Sequence, residues 1–391
     1  MGKTNYEKLG ASASKAGLHK ALDKAGFSHG EGLFASVIPD IAGDPNYLSF
    51  LHCDGAGTKS IVAYLLYKET GDANAFYGLA QDALVMNLDD IFCIGLPENL
   101  FLANAIARNA HLIPDDAIAA IVSCYQDLCA KLKEQDIQIE LTGGETADCG
   151  DVVRTLLIDA VVGGRIKKEY LINANNIVPG DVIIGLSSLG KTTYEDKENS
   201  GVASNGLTLA RHSLLSSEYA QKFSEIVDES IDKDICYGGP FKLSDTPEGL
   251  GMSIGEALLS PTRTYAPILA KIFQNIGSSN IHGVIHQTGG GMSKVLRFGK
   301  GNRYIKNNLF DTPPLFSLIQ EHGEVSWEEM YQVCNMGHRM EVYLPAEFAE
   351  EVIKITQNFG IQAKQIGHVE KADEQNIVVV DSEKGSFSYN L

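Results

Sequence analysis

The run His52-Cys-Asp-Gly-Ala-Gly-Thr-Lys59 follows an apolar stretch, Tyr47-Leu-Ser-Phe-Leu51, that reads as an extended strand. A strand that runs into two closely spaced glycines is set to turn there, because glycine opens backbone conformations closed to other residues. Such a turn lets backbone N–H groups face a ligand without interference from a Cβ. Asp54 puts a carboxylate at the turn and Lys59 a cation just beyond it. Gly55, Gly57 and Thr58 with those two charges suit a nucleotide polyphosphate and its divalent cation. A tight hairpin end with a solvated Asp54 is the plainer alternative. The spacing matches neither G-x-x-x-x-G-K-[ST] nor G-x-G-x-x-G.

The chain has 391 residues, 44% of them hydrophobic. At roughly 100–200 residues per domain that predicts two domains. The polar turn run Asn175-Asn-Ile-Val-Pro-Gly-Asp181 marks the boundary. The expected division is a small, polar, flexible arm over 1–30, a first domain over 31–172 and a second over 173–391. The net charge is −18, and no Lys/Arg cluster is longer than Lys167-Lys168. Nucleic-acid binding needs a basic stripe to neutralise phosphates, so that class is excluded. A phosphorylated substrate must instead be held by local devices: helix N-termini, Mg²⁺ and single Arg or Lys side chains. No run approaches the ~18 apolar residues of a membrane span, and the first residues lack a signal-peptide apolar core. Seven cysteines form no C-x-x-C pair. Reduced thiols in the cytoplasm are expected, and a zinc site is not.

Leu33–Ile38, Tyr47–His52, Asn99–Ala107, Ile137–Leu141 and Val152–Gly163 read as strands. Phe76–Ile94 reads as a helix ended by Gly95 and Pro97. Pro114-Asp-Asp opens a second helix, with Ile118, Ile121, Val122, Tyr125, Leu128 and Leu132 at helical spacing. The second half gives strands near 182–186, 282–286, 340–344 and 377–380, with helices near 205–215, 262–276, 291–297, 314–322 and 347–359. The stretches 189–203 and 233–253 lack pattern, as functional lids do. Helices and strands are segregated rather than alternating, which predicts an α+β (mixed α/β) fold over a doubly wound sheet.

Asp82, Asp89 and Asp90 lie amid Leu84, Val85, Met86, Leu88, Ile91 and Phe92. On a helix, Asp82 and Asp89 fall within about 20° of each other and Asp90 about 80° away. Carboxylates so placed repel and cost desolvation unless a cation neutralises them. A metal–nucleotide complex would do so; a solvated helix face is the alternative. Thr142-Gly-Gly-Glu-Thr146 reads as a turn after a strand, with Gly143 and Gly144 allowing close approach and Glu145 a further Mg²⁺ ligand. Ser204-Asn-Gly206 and Thr288-Gly-Gly-Gly291 each open a helix, where N–H groups and the dipole favour an anion. With Arg263 they suggest a sugar-phosphate pocket. His286 reads as a general acid/base or as a core histidine held by the turn.

Taken in order, these motifs resemble the phosphoribosylformylglycinamidine cyclo-ligase (aminoimidazole ribonucleotide, or AIR, synthetase) family of purine biosynthesis. The resemblance rests on D-G-x-G-T-K, the Asp82–Asp90 helix, T-G-G-E-T, S-N-G-L, Leu258-Leu-Ser-Pro-Thr-Arg-Thr-Tyr265 and His286-Gln-Thr-Gly-Gly-Gly291. Glu329-Met-Tyr331, Asn335-Met-Gly337 and Ile366-Gly-His-Val-Glu370 extend it, so that it covers about residues 30 to 370. It implies a two-domain fold whose N-terminal strands join a partner's into an intersubunit β-barrel in a homodimer, with ATP in a groove at that interface. It implies Asp54 and Asp90 as metal–nucleotide carboxylates assisted by Glu145. Gly55, Gly57, Thr58 and Lys59 become the phosphate loop, with Asp82, Gly143 and Gly144 beside the nucleotide and Lys15 closing over it. Ser204, Asn205, Gly206, Arg263, His286, Thr288, Gly289 and Gly290 would face formylglycinamidine ribonucleotide. Asp54, Asp90 and His286 carry the catalytic roles.

The implied reaction is phosphorylation of the formamide oxygen by ATP, then attack of the amidine nitrogen with loss of phosphate. In-line positioning, Mg²⁺ neutralisation and exclusion of water are the tasks this sets. The chain departs from the family pattern in several ways, among them Cys149-Gly-Asp151 after T-G-G-E-T-A and an insertion-like stretch over 233–253. Ala203 stands where His commonly precedes S-N-G, which leaves His212 as a substitute; Asp89 stands for the usual Asn; and His338-Arg339 are bulkier than usual. Another ATP-dependent member of the superfamily, such as an FGAM synthetase-like enzyme or a small-molecule kinase, and a non-catalytic nucleotide-binding homologue are the rival readings.

Overall fold

The computed structural model describes residues 3–13, 17, 21, 24 and 30–390. Lys15 and half of the expected arm lie outside the described residues. The chain builds two sheets, and the helices pack between and around them.

The N-terminal sheet has the order β1-β2-β5-β3-β4. Its strands are β1 (Ile38–Pro39), β2 (Tyr47–Gly55), β3 (Gly95–Arg108), β4 (Ile139–Asp148) and β5 (Leu156–Leu171). The β3–β4 pair is parallel and the others antiparallel. Parallel neighbours need a long crossover, supplied here by helix α3 (Asp115–Lys133), whose Ile121, Tyr125, Leu128 and Leu132 are buried. Two helices precede it, α1 (Lys59–Thr70) and α2 (Leu79–Phe92). Every residue of α2 except Gln81 is buried. It packs on β2 and β5 with one flank and on the C-terminal half with the other.

The C-terminal sheet has the order β12-β11-β8-β10-β6-β9-β7. Its strands are β6 (Val182–Ser187), β7 (Gly283–His286), β8 (Asn302–Lys306), β9 (His338–Leu344), β10 (Ala363–Lys371), β11 (Ile377–Ser382) and β12 (Gly385–Asn390). Helices α4 (Leu207–Leu214), α5 (Ala266–Ile276), α6 (Pro314–His322), α7 (Trp327–Val333) and α8 (Ala349–Asn358) accompany it. The α+β expectation therefore holds.

Several local expectations change. Of the strand expected over Leu33–Ile38 only Ile38 is extended in a ladder. T-G-G-E-T is not a turn but lies inside β4, because the parallel ladder to β3 continues to Asp148 with one bulge at Thr142. The residues after Thr58 form α1, which the sequence reading passed over. Part of the arm is held as well. Asn5–Lys8 is a helical turn closed by a Thr4–Glu7 capping box, and the Glu329 carboxylate accepts the N–H groups of Asn5 at 3.2 Å and Tyr6 at 2.7 Å.

Strand alternation gives the N-terminal sheet two faces. One lies against α2. The other carries Leu51 (66% exposed), Phe101 (39%) and Leu157 (42%). Among the described residues no helix is long and apolar enough to cross a membrane.

Candidate active site

The solvated-face reading of the acidic helix fails: α2 is buried, and each carboxylate meets donors across the seam between the two halves. Asp82 accepts from Lys59 Nζ at 2.8 Å and, from the C-terminal half, from the Thr262 N–H at 2.8 Å and the Ser204 hydroxyl at 3.2 Å. Lys59 is itself fully buried and also donates to the Ser260 carbonyl. Asp89 accepts from Arg339 Nη2 at 2.7 Å, Thr264 Oγ1 at 2.8 Å and the Tyr265 N–H at 2.9 Å. Burial raises the Asp89 pKa, against Arg339, the imidazole of His286 and the Thr264 hydroxyl. Burial likewise lowers that of Lys59, against Asp82.

Asp90 lies between two imidazoles, His286 Nδ1 at 2.6 Å and His52 Nε2 at 3.5 Å. Burial alone would raise its pKa, but hydrogen bonds from both imidazoles hold it well below the ordinary carboxylate range. Burial opposes a charge on His52, yet Asp90, the Asn87 amide and Asp54 lift its pKa to about 9. The outer nitrogen of His286, Nε2, is buried without a partner. The bond at Nδ1 is assigned as Nδ1–H donated to Asp90 from this bonding pattern, which leaves Nε2 as the outer ring nitrogen.

The glycines of the first turn serve different ends. A Cβ on Gly55 would come within 1.9 Å of Asp159 Oδ1, so glycine is required there by the approach of β5. Gly57 has φ +58° with open space around it, so it is the residue that bends the chain. Thr58 Oγ1 stands 3.1 Å from Thr208 Oγ1 in the first turn of α4. The S-N-G and T-G-G-G turns both lean on residues 331–335. A Cβ on Gly206 would meet Cys334 Sγ at 3.3 Å, and one on Gly291 the Tyr331 carbonyl at 2.4 Å. The distant motifs thus converge on the seam.

Residues 35–166 match the family described as AIR synthase related protein, N-terminal domain, and residues 178–380 its C-terminal domain. The chain belongs to the AIR synthase related family. The phosphoribosylformylglycinamidine cyclo-ligase of Methanocaldococcus jannaschii is 31% identical over 334 residues, covering 85% of this chain and 81% of that protein. The protein of the same name from Alkaliphilus metalliredigens is 28% identical over 400 residues, covering 97% and 99%. Thiamine monophosphate kinase from Aquifex aeolicus superposes with a TM-score of 0.53 at 12% identity, covering 96% of this chain and 98% of that one, and shares the fold.

Within this AIR synthase-type fold not every residue expected at the site is free to act there. Arg263 is 3% exposed and its donors are taken. Nε and Nη2 hold Glu195, Nη1 the Ser187 and Leu189 carbonyls, and Nη2 the Gly190 carbonyl. It knits the 187–195 loop instead of facing a pocket. Lys59 and Asp82 likewise spend their charges on each other. Ser204 bonds Asp82 and Thr262, and Thr288 Oγ1 accepts from Lys294 Nζ at 3.2 Å. Gly290, at φ +104°, precedes a 3-10 turn over Gly291–Arg297, with Gly289 before it. His212 is no stand-in for a histidine at Ala203. It is buried, its Nδ1 accepts the Tyr237 N–H, and burial with the neighbouring Arg211 charge lowers its pKa to about 3.

Glu145 also lies apart from the other proposed metal ligands. Register places Asp54 opposite Ala160 and Asn104, on the α2 side of the sheet, whereas Glu145, Ala105, Asp159 and Gly55 form one row on the open side. Asp54, Asp90 and Glu145 therefore do not form one ligand set within this chain. Among the described residues no three His, Cys, Asp or Glu side chains are grouped to hold a metal ion. The sequence reading missed His52, Asp159 and Arg339. His52 was within reach, since it shares a strand face with Asp54 two residues on.

Proposed function

We propose that this chain closes the ring of formylglycinamidine ribonucleotide, using ATP, to give 5-aminoimidazole ribonucleotide, ADP and phosphate in purine biosynthesis. The observation that carries the reading is His286. It is fixed at Nδ1 by an ionised Asp90 and bare at Nε2, in the seam where the glycine turns meet. The names of the relatives favour the same reaction. The γ-phosphoryl group passes to the formamide oxygen, turning a poor leaving group into phosphate. The amidine nitrogen attacks that carbon, the C–O bond breaks, and the electrons leave with phosphate. His286 Nε2 takes the proton shed by the nitrogen. No covalent protein nucleophile is needed.

ATP would lie along the open row from Gly55 to Glu145, with Gly57 beyond one end and Gly143 and Gly144 beside the other. That row spans about 14 Å across three strand spacings. Asp159, in the middle of it, joins the nucleotide-facing residues. Asn205, Gly206 and the T-G-G-G turn face the ribonucleotide. The exposed Leu51, Phe101 and Leu157 suit a homodimer closed face to face, as a barrel requires. The seven free cysteines suit the cytoplasm.

The test is direct. Purified protein with Mg²⁺, ATP and formylglycinamidine ribonucleotide should release ADP and a diazotisable aminoimidazole, and His286→Asn should abolish it. Nucleotide binding by the unaltered protein without turnover would sink the proposal in favour of a regulatory homologue.

A further inference from the structure

Arg211 sits one helical turn beyond Thr208, the residue that touches the first glycine turn. It is 3% exposed. Its Nη1 donates to the Tyr237 hydroxyl, and its Nε is buried with no partner. No carboxylate among the described residues stands within the 4.0 Å of an ion pair. The groups around it are Tyr237, 5.6 Å from ring centre to guanidinium, with His212, Cys236 and Tyr6; Tyr6 in turn neighbours Cys334 and gives its backbone N–H to the Glu329 carboxylate at 2.7 Å. The nearest carboxylate in this group, Glu329, is held by the Asn5 and Tyr6 N–H groups and makes no ion pair with Arg211 among the described residues. Burial raises the Tyr6 hydroxyl to about 12 and the Cys334 thiol to about 12.

A guanidinium out of water and without a counter-ion is costly, and native chains bury charge only with a partner. The other buried arginines here obey that rule, Arg263 with Glu195 and Arg339 with Asp89. Arg211 differs in having hydroxyls around it and a free N–H. Planar guanidinium groups match the paired oxygens of a phosphate. Cys334 ties the place to the candidate site, since it lies beside both the S-N-G turn and Tyr6. Arg263, the cation expected to hold the substrate's anionic end, is already committed to the 187–195 loop.

We infer that Arg211 binds the phosphate monoester of the ribonucleotide substrate, in a pocket walled by Tyr237 and closed by the N-terminal turn that carries Tyr6. The inference rests on the reaction proposed above for the substrate's identity, though the anion site stands apart from turnover.

Calorimetry on the full chain, with ribose 5-phosphate, inorganic phosphate and ATP as probes, tests it. Ribose 5-phosphate should bind the unaltered protein, and Arg211→Gln should weaken it at least tenfold while ATP affinity stays within twofold. In turnover, KM for the ribonucleotide should rise tenfold or more with kcat changed less than threefold. Equal affinity for ribose 5-phosphate in both proteins overturns the inference, as does a loss confined to ATP or the absence of any binding. If Arg211→Gln does not fold, crystals of the unaltered protein soaked in tungstate decide: an ion on the Arg211 guanidinium supports the site, and an ion elsewhere or none overturns it. Arg211-dependent binding without turnover would keep the anion site and remove the ring-closure reading.

Discussion

On the inner side of the N-terminal sheet, Asp82, Asp89 and Asp90 are buried and each is met by a cation or an imidazole within the same chain. On the outer side Asp159 is half-buried and Glu145 exposed, with no such partner in an ion pair among the described residues. The residue type is the same, and the difference is which way one strand or helix face points. Acids of the first kind hold the molecule together. Acids of the second kind have charge to spare for a ligand.

The contrast predicts unequal costs. Asp89→Ala would leave the Arg339 guanidinium buried and unpaired, so a loss of about 3–5 kcal/mol is expected in urea unfolding. Adding Arg339→Met should recover most of it. If the single variant proves as stable as the parent, the inner acids are not structural.

His52 gives the next effect. Its pKa rises from 6.5 to about 9 on folding, so its contribution is complete below pH 6.5 and is lost as pH climbs through 9. The sum is at most about 3 kcal/mol, and somewhat less because 21% of the side chain is exposed. His52→Gln should flatten stability between pH 6.5 and 9; an unchanged slope would break the assignment. Asp90 acts in the opposite direction. Its depressed pKa stabilises above the usual carboxylate range and fades as pH falls through the folded value.

On the outer face, Leu157→Lys should shift sedimentation toward a single chain with little change in unfolding. A dimer unmoved by that charge would mean that the exposed strip is not the contact. The smallest stability effect belongs to Glu145→Ala, within about 0.5 kcal/mol of the parent. Its turnover should nonetheless fall sharply. Full activity would place Glu145 among idle surface charges.

Much of this was legible beforehand. The amphipathic spacing of α3 and the apolar flanks of Asp82–Asp90 announced buried helices, and the glycine runs announced turns and helix starts. Direction was not legible. Nothing in T-G-G-E-T says that the β3 ladder continues through it, and only that register sends Glu145 away from Asp90. Partnership was hidden too, because Lys59 with Asp82 and Arg263 with Glu195 are chosen by folding. Two departures from the family pattern, Asp89 and Arg339, looked unrelated along the chain and meet as one ion pair.

The seam has a consequence for recombination between relatives. Asp82, Asp89 and Asp90 in the first half find Thr262, Arg339 and His286 in the second. A hybrid joining the first half of this chain to the second half of a relative would inherit acids whose matching residues stayed behind. Such hybrids should misassemble at the join unless positions 89 and 339 travel together, so these two sites are bound to a common lineage although 250 positions separate them.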